Sequence, residues 1–435
     1  MTNRNLSRLG EASCWAAGAV AATLVSSNAA LGIVILLYGI RVFLAHGEAR
    51  VTTLGIFNAS LAMFIGYGTL DASTGPQVLD PEYFTFAALM CLAAQMGINL
   101  VAWDRCSPPD TRPVTADPSA CRWLAVWGGG ILGATLGARL LGVPAGSSSF
   151  VAFSGVVLFA AGMILHPGCR LVSARTVVSA AAFAAYAGYF HPGTGRLQIV
   201  ALACALGIVV TSRFPTPVIK RVAIAAAPVA MWWLAQSRLS LQERVEAGAS
   251  QGNTGLESLT SVMVRLAETV YAITEQGWPI AWGRTFLSLP FVFLPIDQVP
   301  DWAEPYGYEL VRVTDPGMYG TGYSVANSIA GEWFYNFHFV GLLLMVPVGV
   351  WSLAYLDRRL NRAFAGAAGG RRALLAVAFW CLVCGALADC VWMGTHLYGA
   401  RTLMRLPAFL PLLLMTIDRR RPSSVPALAD AARST

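Results

Sequence analysis

The stretch Gly320 to Gly341, GTGYSVANSIAGEWFYNFHFVG, closes a long polar segment and runs directly into a hydrophobic one, so it marks an entry into a membrane. Ser324, Ser328, Glu332 and Asn336 recur every four residues, and Tyr335 follows Glu332 by three. That spacing predicts a helix carrying one polar stripe at the membrane boundary. Two readings of the stripe stay open. In one it is an ordinary first helical turn, with Glu332 favoured by the helix dipole and Tyr and Trp anchoring at the headgroups. In the other Glu332 is a chemical group with Tyr335, Asn336 and His338 nearby, although His338 falls on a different helix face.

The rest of the chain fits such an entry point. Of 435 residues 56% are hydrophobic and only 12% charged, which excludes an ordinary soluble protein and predicts an all-α polytopic membrane protein. Apolar runs predict about 12 transmembrane helices, near 12–27, 29–45, 51–70, 84–103, 121–142, 149–165, 171–190, 197–212, 217–235, 333–356, 372–394 and 400–417. The first nine, within 1–235, read as scaffold; 236–332 is one long extracytoplasmic loop; 333–417 holds the last three helices and 418–435 a tail. The net charge of +7 would suggest nucleic acid for a soluble protein. Here most basic residues fall in alternate connections, which places both termini in the cytoplasm and leaves no nucleic-acid partner. A cleaved signal peptide is the competing reading of the first helix, because Arg4 and Arg8 precede a short apolar run.

Within the long loop, 255–276 has apolar residues at Leu256, Leu259, Met263, Leu266, Val270 and Ile273, an amphipathic helix with Thr254 as cap and Gly277 as stop. It is expected to lie on the membrane or on the bundle. Glu257, Arg265, Glu268 and Glu275 occupy its other face. From Trp278 to Tyr323 the chain is rich in Pro, Gly and aromatics, which serve either as interfacial anchors or as stacking platforms for sugars. Cys381 and Cys384 form a CxxC inside a helix and read as packing residues; no metal site and no cofactor motif is evident.

Four arginines, Arg265, Arg284, Arg401 and Arg405, fall on the outer side against the prevailing bias. A guanidinium fork suits phosphate oxygens, so together they suggest an anionic ligand at the outer leaflet. Because arginine cannot act as a base, a proton acceptor has to come from Glu332, His338, His396, Asp389 or the substrate itself. Asp389, inside the eleventh helix, reads either as functional or as a partner for Arg401 or Arg405.

With GTGYS followed by GEWFYNF after an arginine-bearing amphipathic helix and a Pro-rich aromatic crossing, the chain resembles the bacterial O-antigen and oligosaccharide repeat-unit polymerases over roughly 265–345. Arg401 near a helix end fits the same pattern. The chain departs from it in lacking an Ile-Pro-Arg and a Trp-Pro-Lys element and in having His338 where glycine is usual. The resemblance implies a GT-C-like membrane fold in the bacterial inner membrane. It implies metal-independent transfer of a glycan from undecaprenyl pyrophosphate onto the next lipid-linked repeat unit. Glu332, Arg265, Arg284 and Arg401 would be catalytic, and Arg405, Tyr335, Asn336 and His338 would bind substrate. Lipid-linked oligosaccharide, membrane lipid and a chain-length regulator are the implied partners. An O-antigen ligase acting on lipid A core and a lipid-linked oligosaccharide flippase are the alternatives.

Overall fold

A computed structural model of the chain describes residues 3–25, 27–73, 79–106, 112–143, 145–190, 197–245, 257–320 and 324–416. Among these residues the fold is helical, without a strand. The first part comprises α1 (Asn3–Leu24), α2 (Asn28–Ala45), α3 (Thr53–Leu61), α4 (Tyr67–Ala72), α5 (Pro81–Ala102), α6 (Pro118–Leu140), α7 (Ala145–Ile164), α8 (Ala174–Ala185), α9 (Leu197–Arg213) and α10 (Pro217–Val245). A π turn over Ala62–Gly66 joins α3 to α4 without ending the rod. There follow α11 (Glu257–Thr274), the short α12 (Tyr306–Glu309) and α13 (Val311–Thr314), then α14 (Ile329–Ala365), α15 (Arg371–Gly385), α16 (Leu387–Arg405) and α17 (Leu410–Thr416).

Four helical stretches among the described residues are long and apolar enough to cross a membrane: Asn28–Ala45, Thr53–Ala72, Pro81–Ala102 and Ile329–Ala365. A fifth arises if Arg371–Gly385 and Leu387–Ala408, bent at 76°, form one span. Twelve spans are therefore not found on length and composition. The difference has physical causes. Leu197–Arg213 is apolar but only 17 residues, about 26 Å of helix against a hydrocarbon core of ~30 Å. α1 carries Arg8 and Glu11, and α6 carries Arg122 and Arg139 among its glycines.

Close packing of small residues builds the scaffold. α6 lies along α7, where a Cβ on Gly128 would come within 2.3 Å of the Phe159 nitrogen and one on Gly162 within 2.6 Å of the Ala125 nitrogen. α5 packs on α14 and α15 on α9. The amphipathic helix of the loop, α11, rests on the bundle against α4 and α5. Its predicted stripe is buried at Met263, Leu266, Val270 and Ile273; Thr254, Gly255 and Leu256 lie outside the described residues. Val262 and Ala267 widen that stripe and are likewise buried. α10 runs to Val245, past the expected loop start at 236, and α14 begins at Ile329, before the expected end at 332. The tail 418–435 lies outside the described residues.

Candidate functional site

Two helix breaks meet at the mouth of the bundle. α14 starts with Ser328 as its cap, accepting from the Ala330 N–H through its hydroxyl. The predicted polar stripe thus holds for Glu332 and Asn336 with Ser328 as the cap, while Ser324 precedes the helix. After nine residues α14 breaks at His338, whose backbone takes φ 56° and ψ −142°. The chain passes so close to itself there that a Cβ on Gly341 would lie 2.0 Å from the Trp333 carbonyl oxygen. His338 packs its ring on Phe334 and Phe339, with centroids at 4.9 and 4.4 Å, and is not among the hydrogen-bond partners of the Glu332 carboxylate in the described residues.

The second break is at Gly394, with φ 81° and ψ −167°. Asp389 pairs with Arg401 at 2.6 Å and with Arg405 at 3.0 Å. In a straight helix these partners would stand about 18 and 24 Å away along the axis, beyond the reach of the side chains. α16 is therefore a hairpin: Leu387–Met393 leads to Gly394, and Thr395–Arg405 folds back. Tyr398 confirms the reversal by donating its hydroxyl to the Val383 carbonyl at 3.2 Å. The reversal falls at the expected end of the eleventh helix at 394, and residues 395–399, left between the expected spans 372–394 and 400–417, are helical.

Opening the helix at Gly394 releases backbone groups that the first break uses. The Ser328 N–H donates to the Trp392 carbonyl at 2.9 Å. The Thr395 N–H donates to Glu332 Oε2 at 2.8 Å, and the Thr395 hydroxyl lies 3.0 and 3.1 Å from the two carboxylate oxygens. Thr285 Oγ1 approaches Glu332 Oε1 at 3.4 Å. Glu332 is 1% exposed and has no ion pair among the described residues. The N-terminus of the returning half-helix and two hydroxyls offset part of the cost of burying this carboxyl group. Gly394 has to be glycine for this contact, since a Cβ there would sit 2.4 Å from Glu332 Oε2.

Asn336 completes the cluster from the next turn. Its amide donates to Thr285 Oγ1 at 2.6 Å and to the Glu332 carbonyl at 2.7 Å. A 3-10 turn over Arg284–Phe291 supplies Thr285 and also Ser288, whose Oγ is 2.9 Å from His396 Nδ1. Thr285, Ser288, Gly394, Thr395 and His396 thus join Glu332 and Asn336, and of these only His396 stands out in the sequence. Hydroxyl residues in a Pro-rich loop look like turn formers, so composition hides their role.

The arginines arrive in ion pairs rather than as an open cradle. Arg265 pairs with Glu268 and Asp315, both at 2.8 Å. Burial pushes the Glu268 carboxyl above the usual carboxylate range, and Arg265 opposes that shift. Arg284 pairs with Glu309. Arg401 and Arg405 share Asp389, and Arg405 is fully buried with its guanidinium 4.1 Å over the Phe153 ring. Arg405 therefore sits inside the bundle and is not open to an anion on the outer side as its sequence position suggested. Arg401 keeps a side-chain exposure of 13%.

Tyr335 stacks between Trp278, at 4.6 Å, and Tyr306, at 5.1 Å. Both of its faces are covered, so Tyr335 packs the loop onto α14 and offers no platform, each pair contributing about 0.5–1.5 kcal/mol beyond area. Tyr306 in turn bonds Thr269 Oγ1 at 2.6 Å, and burial raises its phenol well above the ordinary value. Trp282, Phe293 and Trp302 remain exposed, at 77%, 71% and 56%. Neither a group of metal-ligating side chains nor a disulfide occurs among the described residues. Comparison of the chain with protein-family models, with curated proteins and with solved structures finds no match.

Proposed function

We propose that the protein is a membrane glycosyltransferase that extends a glycan at the outer face of the bacterial inner membrane, passing it from a polyprenyl pyrophosphate carrier to the next lipid-linked repeat unit. The observation that carries this reading is the buried Glu332 at the junction of two broken helices, beside a turn whose first residue is Arg284 and a hairpin that carries Arg401. Broken helices at the end of a membrane bundle leave backbone groups and side chains available for a ligand. A pyrophosphate leaving group concentrates negative charge, which preorganised guanidinium groups stabilise in a site of low dielectric.

In this reading Arg401 meets the pyrophosphate, with Asp389 holding it in place until the substrate competes. Arg265 and Arg284, neutralised by Asp315, Glu268 and Glu309, order the loop around the acceptor. Arg405 supports Asp389 from within. Glu332 and Asn336 fix the hairpin tip and the Arg284–Phe291 turn relative to each other. The donor carries its own activation, so the transfer takes no nucleotide. Lipid-linked oligosaccharide and bilayer lipid are the partners, with a chain-length regulator as a further one.

The same helix breaks favour a second reading, a transporter for lipid-linked oligosaccharide, because discontinuous helices commonly form binding sites in transporters. One preparation separates the two. Purified protein is reconstituted into vesicles with lipid-linked repeat units extracted from the source strain, and the glycans are resolved on a gel. A ladder of repeats supports the transferase. Unreacted repeat units that nevertheless change leaflet refute it and support the transporter.

A further inference from the structure

Glu332 is the conspicuous acid of the site, yet its carboxylate is enclosed and already accepts from Thr395 N–H, Thr395 Oγ1 and Thr285 Oγ1. A substrate hydroxyl has no line of approach to it. His396, the next residue along the hairpin, is placed differently. It is half-buried and is tied to the site through one nitrogen only, Nδ1, at 2.9 Å from Ser288 Oγ.

The direction of that bond follows from its neighbour. Ser288 Oγ lies 2.6 Å from the Thr285 carbonyl, which can only accept, so the single hydroxyl proton of Ser288 is spent there. Ser288 must then accept from His396, which puts the proton on Nδ1. In the neutral ring Nε2 is left with its lone pair and no bonding partner among the described residues. An imidazole whose tautomer is fixed by a hydrogen bond through one nitrogen, with the other bare and within reach of solvent, is the arrangement of a general base.

We propose that His396 Nε2 is the proton acceptor of the transfer reaction and that Glu332 acts through Thr395 as a positioning residue. This rests on the glycosyl transfer proposed above. The step balances as follows. The acceptor hydroxyl gives its proton to Nε2, and its oxygen forms the new bond to the anomeric carbon. The bond from that carbon to the pyrophosphate oxygen breaks, and the electron pair leaves on the phosphate. The imidazolium returns its proton to water. Glu332 touches no reacting atom. Its contacts set where the tip stands, and the tip sets where the ring stands.

Two measurements test this. The first needs no substrate: purified protein is treated briefly with diethyl pyrocarbonate at neutral pH and the labelled histidines are mapped by mass spectrometry. His396 should label readily, whereas His46, 1% exposed with both ring nitrogens engaged, should not. A His396 as protected as His46 overturns the proposal. The second uses lipid-linked repeat units extracted from the source strain. His396→Ala should slow ladder formation by about 100-fold or more, and added imidazole should restore a measurable part of the rate. His396→Gln, which still has a group to donate to Ser288, should fold as wild type and be equally slow without rescue. Glu332→Gln should lose activity that imidazole does not restore. A His396→Ala protein of full activity, or a loss that imidazole cannot relieve while His396→Gln stays active, overturns the base assignment. If wild type makes no ladder while His396 still labels, it is the glycosyl transfer reading that fails, and the base role falls with it.

Discussion

Gly394→Ala is the substitution that most sharply separates this architecture from a plain membrane helix. In an uninterrupted helix the change would be neutral or mildly stabilising, since alanine exceeds glycine by about 0.8–1.0 kcal/mol in helix propensity. Here Gly394 occupies φ 81° and ψ −167°, a region nearly confined to glycine that costs other residues about 1–3 kcal/mol. The added methyl would also meet Glu332 Oε2 at 2.4 Å and Cδ at 3.0 Å. Relieving such an overlap costs a further 1–3 kcal/mol or so, and it pushes the carboxylate off the Thr395 N–H. Together the loss is about 2–6 kcal/mol, enough to shift the folded fraction roughly 30-fold at the low end. The assay is thermal unfolding of the detergent-solubilised protein, with Gly130→Ala, where nothing lies within 4 Å of the new Cβ, as the helix control. Gly394→Ala should melt well below wild type and Gly130→Ala at or above it. Equal melting temperatures would refute the Gly394 reversal and the contact with Glu332.

Three further outcomes follow from the same contacts. Glu332→Gln turns one acceptor oxygen into an NH2 facing the donors of Thr395, which should cost about 1–3 kcal/mol in unfolding experiments; a variant as stable as wild type would contradict the cluster. Asp389→Asn leaves the buried Arg405 and the partly exposed Arg401 facing a neutral amide and should cost about 3–5 kcal/mol, with Arg405→Met in the same chain recovering part of it; yield and melting temperature measure both. Glu268 in α11 has its folded carboxyl raised above its unfolded value, so the folded state binds the proton more tightly and stability falls as pH rises between the two values. The stabilisation seen on acidifying through the carboxylate range should therefore be smaller in Glu268→Gln, and an unchanged pH dependence of melting would rule the linkage out.

Much of the loop was legible because its signals are local. The three-four spacing from Met263 to Ile273 gave α11 and its buried face, and the stripe through Glu332 and Asn336 gave the start of α14. The span count was less legible, since a run such as 197–212 is apolar yet gives a helix of 17 residues, shorter than the hydrocarbon core. The site itself was half visible. Glu332 and Asn336 announced themselves by type and spacing, but their partners Thr285 and Thr395 are 47 and 63 residues from Glu332 and become neighbours only because two helices break. The arginines illustrate the opposite error. Their outer placement suggested an open anion site, whereas Asp315 and Glu309 reach Arg265 and Arg284 from segments whose proximity no periodicity encodes; the pairing of Asp389 with Arg401 and Arg405 was one of the two readings open from the sequence.

The account rests on the α16 hairpin, and a charge swap tests it most directly. Asp389→Arg and Arg401→Asp, each alone, should abolish folded protein or lower its melting temperature strongly, because each leaves unbalanced buried charge. Combined, they restore two arginines and one aspartate across the Gly394 reversal. The hairpin predicts that the double variant recovers folded yield and melting temperature toward wild type. A double variant no better than the worse single one would show that residues 389 and 401 do not meet, and the site built on their meeting would be lost.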